Sequence, residues 1–338
     1  MRKHTEEEIL TLLKQYVNGN SSKNEFAQSI GVSHTCLNLW LAKYGIPDKV
    51  EIENLMRSTI SLNIIRLMMA LVLLALTLLL FTGHLLPQNA GNEAWFWLAV
   101  SGFVGYVFGD YCLFSSYLVI GSRFGQLFMT LAPPAAALGG WLILGEHMQG
   151  HAILGMFVTM FGIGLSIIGR GGDHAGKLHL SLPLTGILLG IGAGMGQGFG
   201  LVFSKLGMNY YIQHVDTRDA LAVGLMPFAS TEIRVIFGLA GFLIIMLLLR
   251  NGQKLIASVK DAKAMVAATG GTIFGPFLGV SFSLMAVRYT ETGIASTLMA
   301  LTPILILLPS YWIYKQKISL KEIAGAVISV VGVSLFFI

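Results

Sequence analysis

The stretch Gly102-Phe-Val-Gly-Tyr-Val-Phe-Gly109 has a counterpart 170 residues later, Thr272-Ile-Phe-Gly-Pro-Phe-Leu-Gly279, in which two glycines keep their places. The same offset relates residues in other apolar stretches long enough to cross a bilayer. The five related pairs are Gly105 and Gly275, Gly109 and Gly279, Pro133 and Pro303, Gly155 and Gly325, and Gly162 and Gly332. Five pairs at one offset indicate a helical unit that occurs twice, and helical repeats in lipid are the usual construction of a secondary transporter.

Composition places the chain in a membrane. It is 54% hydrophobic and 12% charged, with a mean hydropathy of +0.72, whereas soluble domains carry about 25% charged residues. The apolar excess must therefore face lipid. Cys36 and Cys112 offer neither a disulfide framework nor metal-site spacing, and no cofactor is expected. Residues 1–57 are polar where a signal peptide would be apolar, so an internal helix must direct membrane insertion.

Nine apolar runs reach the length of about 20 residues that a spanning helix needs. They are 60–82, 94–118, 122–145, 150–169, 183–207, 230–249, 264–287, 292–314 and 320–338. The predicted fold is therefore all-α, a polytopic bundle of about nine transmembrane helices preceded by a small helical domain. The 170-residue offset pairs four runs of each half and leaves 183–207 without a partner, so the first repeat lacks its first helix. The predicted domains are 1–57, 58–170 and 183–338.

The N-terminal domain has the pattern of a helix-turn-helix. Helices are expected over 6–16, 24–30 and 34–44, with Gly31-Val32-Ser33 as the tight turn. About 25 residues resemble the helix-turn-helix of transposase and small regulator families. The residues available for DNA contact are His34, Thr35, Asn38 and Lys43. These are few for phosphate binding, and residues 1–57 carry seven basic and seven acidic residues. Nucleic acid is therefore not an expected partner, although weak DNA binding by 24–44 and a structural remnant both stay open.

Motifs in the membrane part carry a family resemblance. They are Asn63-Ile-Ile-Arg66-Leu-Met-Met-Ala, the Gly-rich stretch 102–121, Gln126-Leu-Phe-Met-Thr-Leu-Ala-Pro133-Pro134, Gly145-Glu146, and Gly155 with Gly162. Residues 58–338 resemble the EamA-type repeats of the drug/metabolite transporter superfamily, and 183–338 resembles a full second copy. The resemblance implies two inverted repeats and a carrier of small metabolites, amino-acid-like or drug-like, often working as an exporter.

Asp110 is the first candidate for a functional residue. It lies well inside the run 94–118, which contains no Lys or Arg to pair with it. A carboxylate at mid-bilayer costs about 2.5–3.5 kcal/mol on insertion scales, so it is expected to face a cavity or a partner. Asp110 either binds a proton or the substrate, or it is held by Ser115, Tyr111 or a basic partner and orders the bundle.

Other polar residues lie in the apolar runs. Arg66 and Arg234, near the starts of corresponding runs, either extend to the headgroups or bind an anionic group or Asp110. Lys205 and Glu232 are expected to extend to the interface. The substrate- or proton-binding candidates are Asp110, Gln126, Ser115, Ser116, Thr130, Arg66 and Arg234. For the serines and Thr130 the alternative is a bond that joins helices. Gln126 is the stronger candidate, because its amide needs partners for both polar groups.

Two further patterns concern helix packing and backbone breaks. The run 183–207 is rich in glycine, which either lets another backbone pack closely or allows sliding during transport. Pro133-Pro134 and Pro303 free main-chain carbonyls near the middle of both repeats, where broken helices commonly build binding sites.

Loop charges predict the orientation of the chain. Ten Lys/Arg lie on the face that carries the N-terminus and four on the opposite face, which places the N-terminal domain in the cytoplasm. Nine helices then put the C-terminus outside, whereas the family pattern puts it inside, and both stay open. We expect a multi-pass protein of a bacterial plasma or inner membrane, with the lipid bilayer and a small-molecule substrate as partners. A homodimer stays open.

Other function classes have less support in the sequence. An intramembrane enzyme is not expected, because the runs contain no Ser–His pair, no second aspartate beside Asp110 and no His-Glu-x-x-His. The alternatives to a transporter are a membrane-tethered helix-turn-helix regulator and an inactive fusion product that lacks one transport helix.

Overall fold

The computed structural model describes residues 5–18, 23–43, 49–169, 183–249, 255, 262–305, 307, 311–312 and 319–338. The chain divides into two compact units, Met1–Ser58 and Thr59–Ile338. Within the described ranges every regular element is helical. The predicted all-α class is confirmed.

The N-terminal unit contains three short helices: α1 Glu6–Asn18, α2 Lys23–Ser29 and α3 His34–Lys43. Its core includes Leu13, Tyr16, Phe26 and Leu37. Gly31 turns the chain before α3 with φ +69°, a left-handed conformation that glycine adopts without strain. The Oγ atom of Ser33 accepts a hydrogen bond from the amide of Cys36 at 3.1 Å and caps α3.

These helices and the turn confirm the secondary structure predicted for this unit. Its interpretation as a transposase-like helix-turn-helix stays a prediction. Of the proposed DNA-contacting side chains, Thr35 is exposed, and those of His34, Asn38 and Lys43 lie outside what the structure describes.

Eight helices in the described part of the chain are long and apolar enough to cross a membrane. They are α4 Ser58–Thr82, which is the apolar part of helix Lys49–Thr82, then α5 Asn92–Ser122, α6 Phe124–Leu144, α7 Gly150–Ile168, α8 Leu184–His214, α9 Ala220–Leu248, α10 Met265–Tyr289 and α12 Leu320–Phe337. A shorter apolar helix, α11 Thr292–Leu305, lies between the last two. Eight of the nine predicted runs therefore form long helices, and much of the rest of run 292–314 lies outside the described residues.

The repeated glycine stretch has the same local geometry in both repeats. Residues Phe103–Asp110 of α5 form a π-helical segment, and so do Ile273–Phe277 of α10, which are their counterparts at the 170-residue offset. A π-turn widens the helix locally and often marks a functional position. Gly121, with φ +82°, has a non-helical backbone and kinks the chain at the end of α5, just before α6 begins.

Helix α9 begins ten residues earlier than the sequence predicts. The carboxylate of Asp219 caps it by accepting hydrogen bonds from the amides of Leu221 and Ala222, at 2.9 and 3.3 Å. The helix then continues through Pro227. Glu232 and Arg234 therefore lie more than three turns inside α9. Their side chains are 0% and 4% exposed, so the expected placement of Glu232 at the membrane interface is wrong. Of the two alternatives for Arg234, the structure does not show the extension to the headgroups.

The last helices of the two repeats, α7 and α12, pack against each other through their glycines. A Cβ atom on Gly155 would lie 2.7 Å from the carbonyl oxygen of Gly332, and one on Gly162 would lie 2.6 Å from that of Gly325. The repeat-related pairs, 155 with 325 and 162 with 332, thus contact each other crosswise. The two equivalent helices must therefore run antiparallel.

Helix α8, which has no counterpart in the first repeat, packs into that repeat through its own glycines. A Cβ on Gly196 would lie 2.8 Å from the Cα of Gly109, and one on Gly200 would lie 2.9 Å from the Cα of Gly105. On another side, a Cβ on Gly198 would lie 2.6 Å from the carbonyl oxygen of Ala132 in α6. The predicted close packing of this helix is confirmed.

Candidate functional site

A cavity of about 310 Å³ lies inside the helical bundle, between the two repeats. Five repeat-related pairs line it: Leu113 and Ser283, Gln126 and Ser296, Met129 and Met299, Thr130 and Ala300, and Ala132 and Thr302. The remaining lining residues are Tyr106, Tyr117, Ile163, Gln197, Leu201, Arg234, Val280 and Pro303. Because each repeat contributes the same positions, the cavity lies on the approximate twofold axis that relates them.

Two of the predicted residues reach this cavity from α6. The side-chain amide of Gln126 donates a hydrogen bond to the hydroxyl of Tyr117 at 3.2 Å. The hydroxyl of Thr130 donates to the carbonyl of Leu127 in its own helix at 2.7 Å. Gln126 therefore keeps its amide oxygen, and Thr130 its hydroxyl oxygen, available to a molecule in the cavity.

Arg234 enters the cavity from α9. Its guanidinium carbon lies 5.0 Å from the centre of the Tyr106 ring, a distance at which the ring face attracts a cation. A Cβ on Gly105 would lie 3.1 Å from the Nη2 atom of Arg234, so the guanidinium packs closely against the main chain at this glycine. Among the described residues, Nε and Nη1 of Arg234 and the hydroxyl of Tyr106 have no hydrogen-bond partner.

Asp110 lies behind the cavity wall. Its Oδ1 atom accepts a hydrogen bond from the side-chain amide of Gln197 at 2.8 Å, and the same amide nitrogen lies 3.2 Å from the carbonyl oxygen of Gly105. Gln197 lines the cavity, whereas Asp110 does not. The hydrogen-bond partner of Asp110 among the described residues is thus Gln197, and not Ser115 or Tyr111. The basic side chains of Arg66 and Arg234 lie close enough to interact with it electrostatically.

The other predicted residues lie outside the cavity lining. The buried hydroxyls of Ser115 and Ser116 donate to the carbonyls of Tyr111 and Leu113 in their own helix, at 2.6 and 2.7 Å. Arg66 of α4 is placed differently: a Cβ on Gly275 would lie 2.8 Å from its Nη2 atom. Its Nε atom has no hydrogen-bond partner among the described residues.

The two arginines follow one pattern across the repeats. Arg234, in the second repeat, lies against Gly105 of the first, and Arg66, in the first, lies against Gly275 of the second. Gly105 and Gly275 are themselves related by the 170-residue offset. Each arginine therefore lies against the π-helical segment of the opposite repeat.

Several polar residues of the cavity lining were not among the predicted site residues. They are Tyr106, Tyr117, Gln197, Ser283, Ser296 and Thr302. Gln197 had a usable signal, because an amide inside a glycine-rich apolar helix needs hydrogen-bond partners for the same reason as Gln126. Nothing in the sequence distinguishes the two tyrosines from the others in these helices.

A polar network joins the repeats at the end of the bundle where α6 ends and α11 begins. Lys205 of α8 forms an ion pair with Glu146 at 2.6 Å, and its ammonium also donates to the carbonyl of Thr290 at 2.6 Å. Glu146 accepts from the amide of Thr292 at 2.8 Å and from its hydroxyl at 3.0 Å, which caps α11. Lys205 therefore lies in a network between helices, and its expected extension to the headgroups is wrong.

A cavity on the axis between two repeats of membrane helices is the architecture of secondary transporters. The model of the EamA-like transporter family matches residues 53–168 and 184–338. The chain belongs to this family. One solved crystal structure superposes with a TM-score of 0.59 at 14% identity over 82% of this chain and 86% of that one. That likeness shows the fold alone. No curated protein matches the chain.

Proposed function

We propose that the protein is a carrier that moves a small metabolite across the membrane by alternating access, with the cavity between the repeats as its substrate site. The observation that carries this proposal is the twofold lining, in which α6 and α11 contribute Gln126 and Ser296 from equivalent positions. A site on the axis between the repeats can be opened to either side by the same relative movement.

The network around Lys205 and Glu146 supplies a closure for one end of this path. The two side chains are 14% and 12% exposed, so their pairing is largely shielded from water. Thr292 lies one helical turn before the cavity residue Ser296. Opening this end would separate the repeats and break the pair, whereas closing it would restore the pair.

Export of an amino-acid-like or drug-like compound is the direction that the family resemblance favours. The loop charges support a cytoplasmic N-terminal unit in a bacterial plasma or inner membrane, because Lys/Arg concentrate on that face. Of the four basic residues counted on the opposite face, Arg234 and Lys205 lie inside helices, which leaves Arg218 and Arg288. Efflux from cells loaded with a mixture of amino acids, organic acids and other small metabolites tests both points. At least one compound should leave faster when the chain is expressed.

A cavity-filling variant ties that efflux to the proposed site. Ala300→Trp places an indole in the cavity and is expected to abolish the accelerated efflux. The matched control is Leu142→Trp in α6, because Leu142 is 64% exposed on the outer surface and its replacement leaves the cavity unchanged. Efflux that survives Ala300→Trp would contradict the assignment of the site.

If no compound moves although the chain inserts, the absence of the first helix of the first repeat becomes the explanation. A variant with an apolar helix restored before Ser58 is then the next protein to assay. Efflux by that variant alone would identify the natural chain as an inactive fusion product.

DNA binding by the N-terminal unit is a second candidate function, favoured by the glycine turn at Gly31 and the Ser33 cap of α3. The test is the binding of the full chain in detergent to fluorescent duplex fragments at low salt, where phosphate contacts are strongest. Absence of binding under these conditions would remove this candidate.

A further inference from the structure

We infer that the cavity binds a small organic carboxylate, through the guanidinium of Arg234, in preference to a zwitterion or a cation. This inference rests on the proposed function and narrows its substrate class. It differs from the expectation of an amino-acid-like or drug-like compound, because it requires a negative charge and because no carboxylate among the described lining residues faces a positive one.

The first step concerns the hydrogen-bonding groups of Arg234. Its side chain is 4% exposed and lines the cavity, yet Nε and Nη1 find no acceptor among the described residues. A guanidinium has five N–H groups in a rigid fork. Buried polar groups of native proteins are nearly always hydrogen-bonded, and an orphaned charged donor is costlier than a neutral one. An acceptor supplied by a ligand would satisfy these groups.

The second step concerns the charge of the site. Arg234 is the only charged side chain among the described residues that line the cavity. Asp110, the carboxylate behind the wall, already accepts from Gln197 at 2.8 Å. Glu232 lies two residues from Arg234, about 200° around the helix, and is not a lining residue. Asp110 interacts electrostatically with Arg66 and Arg234 from behind the wall. Among the described lining residues Arg234 alone presents a charge to the cavity, so this lining attracts an anion.

The third step concerns the position of the guanidinium. The ring of Tyr106 lies against it at 5.0 Å, and Gly105 leaves the space that its Nη2 atom occupies. These contacts hold the fork before any ligand arrives. A fork fixed in this way suits two parallel hydrogen bonds to the two oxygens of a carboxylate.

The last step concerns the body of the ligand. Away from Arg234 the lining is largely apolar, with Leu113, Met129, Ile163, Leu201 and Met299. Free phosphate would leave this surface uncovered and would find a single cation. An aliphatic or aromatic carboxylate covers it, and the unbranched methionine side chains adapt to its shape.

Three probes with one carbon skeleton test the charge preference. They are 4-methylpentanoate, an anion, leucine, which adds an ammonium group, and 3-methylbutylamine, a cation. The readout is the stabilisation of the purified full chain in detergent against heat, which follows binding without requiring transport. The anion should stabilise the protein at concentrations at which the other two do not.

Variants of the arginine identify the group responsible. Arg234→Gln removes the charge and should weaken 4-methylpentanoate binding roughly 10- to 100-fold, the effect expected for losing a hydrogen bond to a charged group. Arg234→Lys keeps the charge, loses the fork and should give an intermediate loss. Arg218→Gln, in the exposed loop before α9, is the matched control and should bind like the natural protein.

The comparison of the three probes on the natural chain tests the inference even if the Arg234 variants fail to fold. Equal stabilisation by all three, stabilisation by the amine or leucine above the acid, or none by any would overturn the inference. Counterflow of radiolabelled 4-methylpentanoate in proteoliposomes separates the two proposals. Binding without counterflow would contradict the carrier and leave the carboxylate site standing.

Discussion

Thr159 and Ser329 each donate a side-chain hydrogen bond to the main-chain carbonyl of the other, at 3.4 and 3.2 Å. The two residues are separated by the same 170 residues that relate the repeated glycines. The approximate twofold axis therefore passes between them, and the crossing of α7 and α12 is centred on this pair. Substitutions that separate the two helices at this crossing should therefore lower the stability of the protein.

Gly162→Ala should destabilise the protein, because the added methyl group would meet the main chain of α12. A Cβ atom at position 162 would lie 2.6 Å from the carbonyl oxygen of Gly325 and 2.6 Å from the amide nitrogen of Ser329. Overpacking of this kind costs about 1–3 kcal/mol. The measurement is the apparent melting temperature in detergent.

Gly224→Ala in α9 is the control for that substitution. A Cβ at Gly224 has no described atom within 4 Å, and alanine is the better helix former. The two variants should differ in sign or at least in size. Equal destabilisation by both would show that the α7–α12 crossing tolerates a wider separation than the structure indicates.

Lys205→Met should loosen the end of the bundle that the ion pair with Glu146 closes. Removing one partner of a fully buried pair costs about 3–5 kcal/mol, largely because the other charge stays unpaired, and the cost should be smaller here because the two side chains are 14% and 12% exposed. The cavity should therefore open to that side more often. The measurement is the rate at which a membrane-impermeant maleimide labels Ser296→Cys, with Cys36 and Cys112 replaced by serine.

The double variant Glu146→Gln with Lys205→Met tests whether the unpaired charge is the cause. It removes both charges, so labelling should fall below that of Lys205→Met alone. Arg218→Met, a change in an exposed loop, should leave the labelling rate as it was. A rate that Lys205→Met does not change would rule out the network as a closure.

Asp110→Asn should separate proton coupling from substrate movement. An asparagine can keep the bond to Gln197 by presenting its amide oxygen, so the cavity wall should hold its shape. We expect substrate counterflow in proteoliposomes to continue and accumulation driven by a proton gradient to stop. Retention of both would reduce Asp110 to a structural role, and loss of both would make it part of substrate binding.

Glu232→Met should raise the melting temperature. Both carboxylate oxygens of Glu232 lack a hydrogen-bond partner among the described residues, and the side chain is fully buried. Replacing buried ionisable groups by apolar ones of similar size often stabilises by about 1–4 kcal/mol. Glu322→Met, the control, should lower the melting temperature. Glu322 accepts a hydrogen bond from the amide of Ser319 at 2.7 Å and completes the capping box of α12. A fall with Glu232→Met would reveal a partner for that carboxylate.

The sequence predicted the membrane helices and the repeat because both depend on patterns that survive along the chain. Long apolar runs give the spans, and glycines at close helix contacts, such as Gly155 and Gly162, give the offset. The crosswise contact of these glycines with α12 did not follow from the offset, because a repeat in sequence leaves the direction of the second copy undetermined.

The start of α9 was predicted wrongly for a local reason. Pro227 normally interrupts a helix, and the polar sequence Ser230-Thr-Glu232 after it resembles a membrane interface. In the structure the hydroxyl of Thr231 donates to the carbonyl of Pro227 at 2.8 Å, and the helix continues. Because the run was predicted to begin at 230, Arg234 was expected near the start of its helix, and its contact with Tyr106 could not be foreseen.

The contact between α7 and α12 is isologous: position 155 meets 332 while position 162 meets 325, as in the seam of a symmetric pair of chains. A contact of this kind is self-complementary, so α7 and α12 can form it without a peptide that links the two repeats. A gene divided between residues 169 and 183 would therefore encode two pieces that each carry one side of it. The two halves should therefore be able to associate through this contact when they are made as separate chains.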